Sequence, residues 1–137
     1  MTVPDLTFCI SETNRYGAMR GRPSETRSAA LESNAADSAR IDAQANKPHQ
    51  HFTSANGGGV SIAENEFLNA AASSPLTNQA AIQTAISLLY REGPGGGHFE
   101  NMMSYANPGC GIYRTVGIRR HPVDQPCWHV GQRNMSP

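Results

Sequence analysis

Two titrating side chains, Glu92 and His98, stand on either side of Gly93-Pro94-Gly95-Gly96-Gly97. A run of glycines around a proline turns the chain tightly, so it returns an imidazole toward a carboxylate. Glu92 also breaks two local rules. It follows Leu88 by four and Leu89 by three, which puts an anion on the apolar stripe of a helix, and it does so in the last turn, where the macrodipole disfavours negative charge. Such conflicts gather at functional or strained sites; the other reading is a solvated helix end followed by a plain loop. A second pair lies in Pro48-His49-Gln50-His51-Phe52. In an extended segment His49 and His51 point the same way, giving one face two imidazoles, either metal ligands or structural and solvated histidines. The three cysteines, Cys9, Cys110 and Cys127, are an odd count that fits neither a disulfide framework nor a zinc knuckle, and at most one pair can close. Cys9 has no histidine near it in sequence to lower its pKa, so it does not read as a nucleophile.

Other motifs are excluded. The glycine run ending at His98 lacks the Gly-Lys-Ser/Thr of a phosphate loop and follows a helix instead of a strand. There is no His-Glu-x-x-His and no Gly-x-Ser-x-Gly.

The elements that must carry these residues follow from periodicity. Ala81, Ile82, Ala85, Ile86, Leu88 and Leu89 recur at helical spacing, with Thr77 and Asn78 as caps and Gly93-Pro94 as the stop. A second helix is expected from about Ser28 to before Pro48, with Leu31, Ala35, Ala39 and Ala43 on a stripe small enough to let another layer approach. Residues 1–12 show no period and read as a loose lead-in to a domain over 13–137, with a short helix from Asn14 to Met19. Val60 to Asn65 alternates as a short strand or tight turn, Ala70 to Pro75 reads as a loop, and Phe99, Met102 and Met103 read as core. Asn107-Pro108-Gly109 reads as a turn into a strand from Cys110 to Val116, and Cys127 to Val130 as its returning partner. Closing Cys110 to Cys127 would clip that hairpin by on the order of 3 kcal/mol in the chain-entropy model, and would require an oxidising compartment.

Composition sets bounds. At 137 residues and 38% hydrophobic, with a mean hydropathy of -0.48, the chain suits one domain with a modest, alanine-rich core. Eleven basic residues balance eleven acidic ones, so no nucleic-acid or polybasic membrane partner is implied. Arg15, Arg20, Arg22 and Arg27 read as a solvated surface. No apolar run approaches the roughly 20 residues that span a bilayer. The N-terminus does not read as a signal peptide, so the protein stays in the cell, or the sequence begins after processing or at a wrong start.

In order along the chain, several segments resemble the CAP superfamily of cysteine-rich secretory, antigen 5 and pathogenesis-related proteins, in a shortened bacterial form. Asn14-Arg15-Tyr16-Gly17-Ala18-Met19 is similar to the opening Asn-x-x-Arg-Ala helix, with Gly17 in place of the arginine. The helix over Leu31–Ala45 followed by a histidine resembles the segment delivering the first cavity histidine. Ala63-Glu64-Asn65 resembles Gly-Glu-Asn, Leu89-Tyr90-Arg91-Glu92 resembles Trp-Tyr-x-Glu, Gly97-His98-Phe99 through Met102-Met103 resembles Gly-His-Phe/Tyr-x-x-Met, and Gly109-Cys110-Gly111 resembles the family's Gly-Cys-Gly.

The resemblance covers about residues 13 to 131 and implies an α+β fold, an α-β-α sandwich around a small antiparallel sheet. It implies a cavity of His51, Glu64, Glu92 and His98, with His49 the rival for the first place. Such a tetrad suits a divalent metal, zinc above all. The implied function is a secreted binding module for a metal, a small molecule or a lipid. The alternative is a metal-dependent hydrolase in which Glu64 or Glu92 serves a zinc-activated water.

Overall fold

The alanine stripe of the second expected helix is what the sheet rests on. In a computed structural model the chain is described over residues 1–67, 69–70, 77–104, 106–113 and 123–131, with 69–70, 106–107 and 123–131 described as backbone. Helix α2 spans Ala29–Ala45, begins at the cap Ser28, whose Oγ accepts from the Leu31 N–H at 3.4 Å, and ends at Asn46 in the left-handed conformation. Its buried residues are Leu31, Glu32, Ala35, Ser38, Ala39 and Asp42. Strand β3 (Ala106–Tyr113) lies directly on it: a Cβ added at Gly109 would strike the backbone of Leu31 and Glu32, and one at Gly111 the backbone of Ala35 and Ala36. The small residues on both elements are thus a requirement of the close approach.

Residues 1–12 depart from expectation. Helix α1 runs Val3–Ala18, started by a capping box in which Thr2 and Asp5 each bond the other's backbone, with Pro4 in the first turn. Its buried face, Asp5, Cys9, Ile10, Glu12, Thr13 and Gly17, keeps helical spacing but is half polar, so it carries no apolar period for a reader to find. Asp5 is satisfied by Asn78 at 2.8 Å, at the start of α4 (Asn78–Arg91).

Helix α4 begins at its Thr77 cap and buries Ala81, Ile82, Ala85, Ile86 and Leu89, whereas Leu88 stays exposed. With Phe99, Met102 and Met103 of α5 (Gly97–Ser104) and with Cys9 and Cys110, these side chains form the main core.

The short α3 (Gln50–Ser54) replaces the extended segment expected around the two histidines. β1 is Ala63–Glu66, β2 Asn69–Ala70 and β4 Val123–Gly131. β4 runs antiparallel to β1, β2 and β3, which gives an α+β architecture with a small antiparallel sheet. Asn107-Pro108-Gly109 is not a turn but part of β3, entering through a register irregularity between Ala106 and Pro108 where a proline can sit without breaking the ladder. The Ala70 to Pro75 expectation and the end of the expected strand at Val116 fall largely outside the described residues.

The disulfide also differs. Cys9 and Cys110 are bonded, with Cα atoms 6.6 Å apart. Cys110 pairs with Trp128 and Gly111 with Cys127, so positions 110 and 127 belong to opposite faces of the sheet and cannot close on each other. Position 110 lies on the face away from α2, and that face meets α1.

Candidate metal centre

The structure gathers one histidine and two carboxylates where β1 meets the end of the α2–α3 connection. Glu64 and Glu66 are two apart in a strand and so share a face; their side chains are 1% and 2% exposed. Both reach His49. Its ring Nδ1 lies 2.8 Å from Glu64 Oε1 and 3.8 Å from Glu66 Oε2, and its backbone N–H donates to Glu66 Oε2 at 2.8 Å. That backbone bond holds His49 in the left-handed conformation, φ 58°, where it opens α3. A non-glycine residue held there costs on the order of 1 kcal/mol and persists only when its surroundings fix it. Among the described residues, His49, Glu64 and Glu66 offer ligand atoms that all lie within 4.8 Å of one another.

The electrostatics agree with the geometry. The hydrogen bond to Glu64 raises the pKa of His49 above its ordinary value; partial burial opposes this, and the charges of Glu66, Glu64 and Asp42 assist it. Asp42 is buried at 1% exposure near the end of α2; one oxygen accepts the His51 N–H at 2.7 Å, and Oδ2 has no hydrogen-bond partner among the described residues.

His51 is placed elsewhere. Its Nδ1 meets Ser38 Oγ at 2.9 Å, and it is not in the group that His49 forms with Glu64 and Glu66. The two histidines share a face only if the chain is extended, and helical backbone from Gln50 onward separates them.

Glu92 and His98 do come together: Glu92 Oε1 lies 3.0 Å from His98 Nδ1, and Oε2 accepts from the backbone N–H of His98 at 2.7 Å and of Phe99 at 3.4 Å. The apparent misplacement of Glu92 at the end of α4 is resolved by α5, because the same carboxylate caps the α5 N-terminus, where the dipole attracts an anion. Partial burial pushes its pKa up, but the bonds from the His98 ring and backbone outweigh this and hold it below the ordinary carboxylate value. Gly96 is required, since a Cβ there would meet the Glu92 side chain. Both side chains are 39% exposed, and neither belongs to the group around His49.

The two pairs are linked through amides. Asn65, fully buried, donates to the His98 carbonyl at 2.9 Å and accepts from Asn101 at 2.8 Å, while Asn101 also donates to the Glu64 carbonyl at 3.4 Å. Glu66, Asp42 and this Asn65–Asn101 bridge were not singled out by the sequence reading. The signal available for Glu66 was its two-residue spacing from Glu64.

No family model matches the chain, and no curated protein matches it in sequence. Among solved structures, the crystal structure of NaASP2 with Zn2+, a CAP-family protein, superposes with a TM-score of 0.66 over 96% of this chain and 85% of that one, at 13% identity. The fold is the CAP fold. At this identity the likeness concerns architecture alone. No described helix is long and apolar enough to cross a membrane.

Proposed function

We propose that this protein is a CAP-fold binding module that holds a divalent cation, zinc foremost, at His49, Glu64 and Glu66. The observation that carries this reading is the convergence of three ligand atoms within 4.8 Å. One imidazole and two carboxylates are a donor set that zinc accepts, and NaASP2 was crystallised with Zn2+. The buried carboxylates of Glu64 and Glu66 lie against the His49 ring, and the charge of Asp42 also acts on it, a negative setting that favours a cation. Bound there, the cation supplies Lewis acidity and positive charge. His49 must be neutral to ligate, Glu66 fixes the His49 backbone, and Glu92 caps α5.

A small or lipidic ligand has room at the surface. An open groove of about 540 Å³ is lined by Phe52, Asn56, Gly59, Val60, Ser61 and Ile62, with Val60 and Ile62 exposed. The Cys9–Cys110 bond supports residence in an oxidising compartment, in keeping with secretion.

Isothermal titration with zinc tests the reading. Wild-type protein should bind one equivalent and His49→Ala should lose at least tenfold in affinity. Equal binding by both proteins removes the centre.

A further inference from the structure

Asp42 is a buried acid that its own helix does not favour. It lies in the last turn of α2, where the dipole repels an anion, and it is 1% exposed. The loop that follows carries His49 and is bracketed by two non-glycine residues in the left-handed conformation, Asn46 at φ 50° and His49 at φ 58°. Such backbone persists only where its surroundings over-determine it. Asp42 holds this loop at both ends. Its carbonyl accepts the Lys47 N–H at 3.0 Å, before His49, and its side-chain Oδ1 accepts the His51 N–H at 2.7 Å, after it. One turn earlier on the same face of α2, the fully buried Ser38 meets the His51 ring, with Oγ 2.9 Å from Nδ1. His49 opens α3 but gives that helix no side-chain cap, and its ring meets Glu64 instead. Asp42 supplies the missing acceptor.

From this arrangement we infer that Asp42 is the positioning residue of the cation centre: by bonding the His51 amide it caps α3 from α2 and fixes where His49 presents its imidazole. The inference rests on the cation reading above and deepens it, and it makes His51 an anchor instead of a ligand. Position matters because a centre that is already assembled loses no affinity to the ordering of its loop, and groups that hold a ligand in place affect metal affinity nearly as much as the ligand does. Glu66 acts in the same sense by bonding the His49 N–H, but it is also a candidate ligand. Asp42 stands outside the ligand group, so it separates positioning from ligation. The device repeats the one seen at Glu92, where an acid at the end of one helix caps the start of the next. The role rests on the hydrogen bond. Oδ2 has no hydrogen-bond partner among the described residues, so an amide nitrogen in its place breaks no bond there.

The test joins calorimetric titration of the full chain with zinc ions alone, at a temperature where each variant is folded by circular dichroism, to amide hydrogen exchange. Asp42→Ala should bind zinc about ten- to a hundredfold more weakly than wild type. Asp42→Asn, which keeps an oxygen for the His51 amide, should stay within about threefold. Coupling is reciprocal, so a clamp that favours the cation is itself favoured by the cation. In wild-type protein, saturating zinc should therefore slow exchange of the His51 amide by about tenfold or more, while the Gly93 amide, which bonds Tyr90 at the end of α4, stays unchanged. That readout needs no variant and decides the matter if Asp42→Ala does not fold. Three results each overturn the inference and leave the cation reading standing: a folded Asp42→Ala with wild-type affinity, Asp42→Asn as weak as Asp42→Ala, or zinc acting equally on the His51 and Gly93 amides. If wild type binds no zinc, or no more tightly than His49→Ala, both readings fall.

Discussion

Glu92 and His98 are joined twice, once through the ring Nδ1 at 3.0 Å and once through the backbone N–H at 2.7 Å. The backbone bond does not depend on the imidazole, which fixes how the two residues respond to substitution. Glu92→Ala should lose about 1 kcal/mol of stability as an uncapped helix, whereas His98→Ala should lose less. Because the folded pKa of Glu92 is lowered, its contribution is present above the ordinary carboxylate pKa and fades as pH falls through the lowered value. Urea melts at neutral pH and at about pH 3 check both statements; equal losses for the two variants would contradict the capping role.

The cation set makes a sharper contrast between histidines. His98→Ala should change zinc affinity by less than about threefold, well under the 1.4 kcal/mol that tenfold represents. His49→Ala should change it by tenfold or more. Calorimetric titrations of the two variants side by side read the difference.

Acidity should act through His49. Its pKa is raised above the ordinary 6.5, chiefly by the bond to Glu64. In the absence of metal, that imidazolium contributes stability that is full below pH 6.5 and is lost as pH rises through the raised folded value. Zinc requires the neutral ring, so the gain in Tm on adding zinc should grow across that same rise and vanish on acidification. Thermal melts from pH 5 to 8 with and without zinc provide the measurement; a zinc effect independent of pH would exclude His49 as a ligand.

Reduction should be costly. The Cys9–Cys110 bond closes a separation of 101 residues, worth about 4 to 5 kcal/mol in the chain-entropy model. Cys110→Ser should lower the urea midpoint accordingly, and non-reducing peptide mapping should recover Cys9 linked to Cys110. A Cys110–Cys127 peptide would contradict the register.

Close packing of β3 on α2 is equally testable. Gly111→Ala places a methyl group against the backbone of Ala35 and Ala36, and because backbone cannot rotate away, the loss should reach at least about 2 kcal/mol. The comparison is Gly97→Ala, where an added Cβ meets nothing within 4 Å.

How much of this was legible in the chain depends on which residues carried each element. α4 was readable because its buried face is uniformly apolar, and α2 because its alanines recur at helical spacing. α1 was hidden because Asp5, Glu12 and Thr13 occupy its buried face and find partners instead of water. The pairing of Glu92 with His98 was written in the glycine turn between them, but its partner role as the cap of α5 needed the second helix in place. His49 could not be told from His51 by spacing, since the choice depends on whether the segment is extended or helical. Glu66 looked like an ordinary strand residue until Glu64 fixed which way the strand faced. Cysteine pairing is a matter of face parity in β3 and β4, and register is not written in sequence spacing.

The cross-link between α1 and β3 also orders events during synthesis. Cys9 leaves the ribosome about a hundred residues ahead of the thiol it must meet, so the first helix waits without its cross-link until β3 has been delivered. Once the bond is made, a protease cut in the stretch between α1 and α2 would sever the backbone without releasing the leading segment.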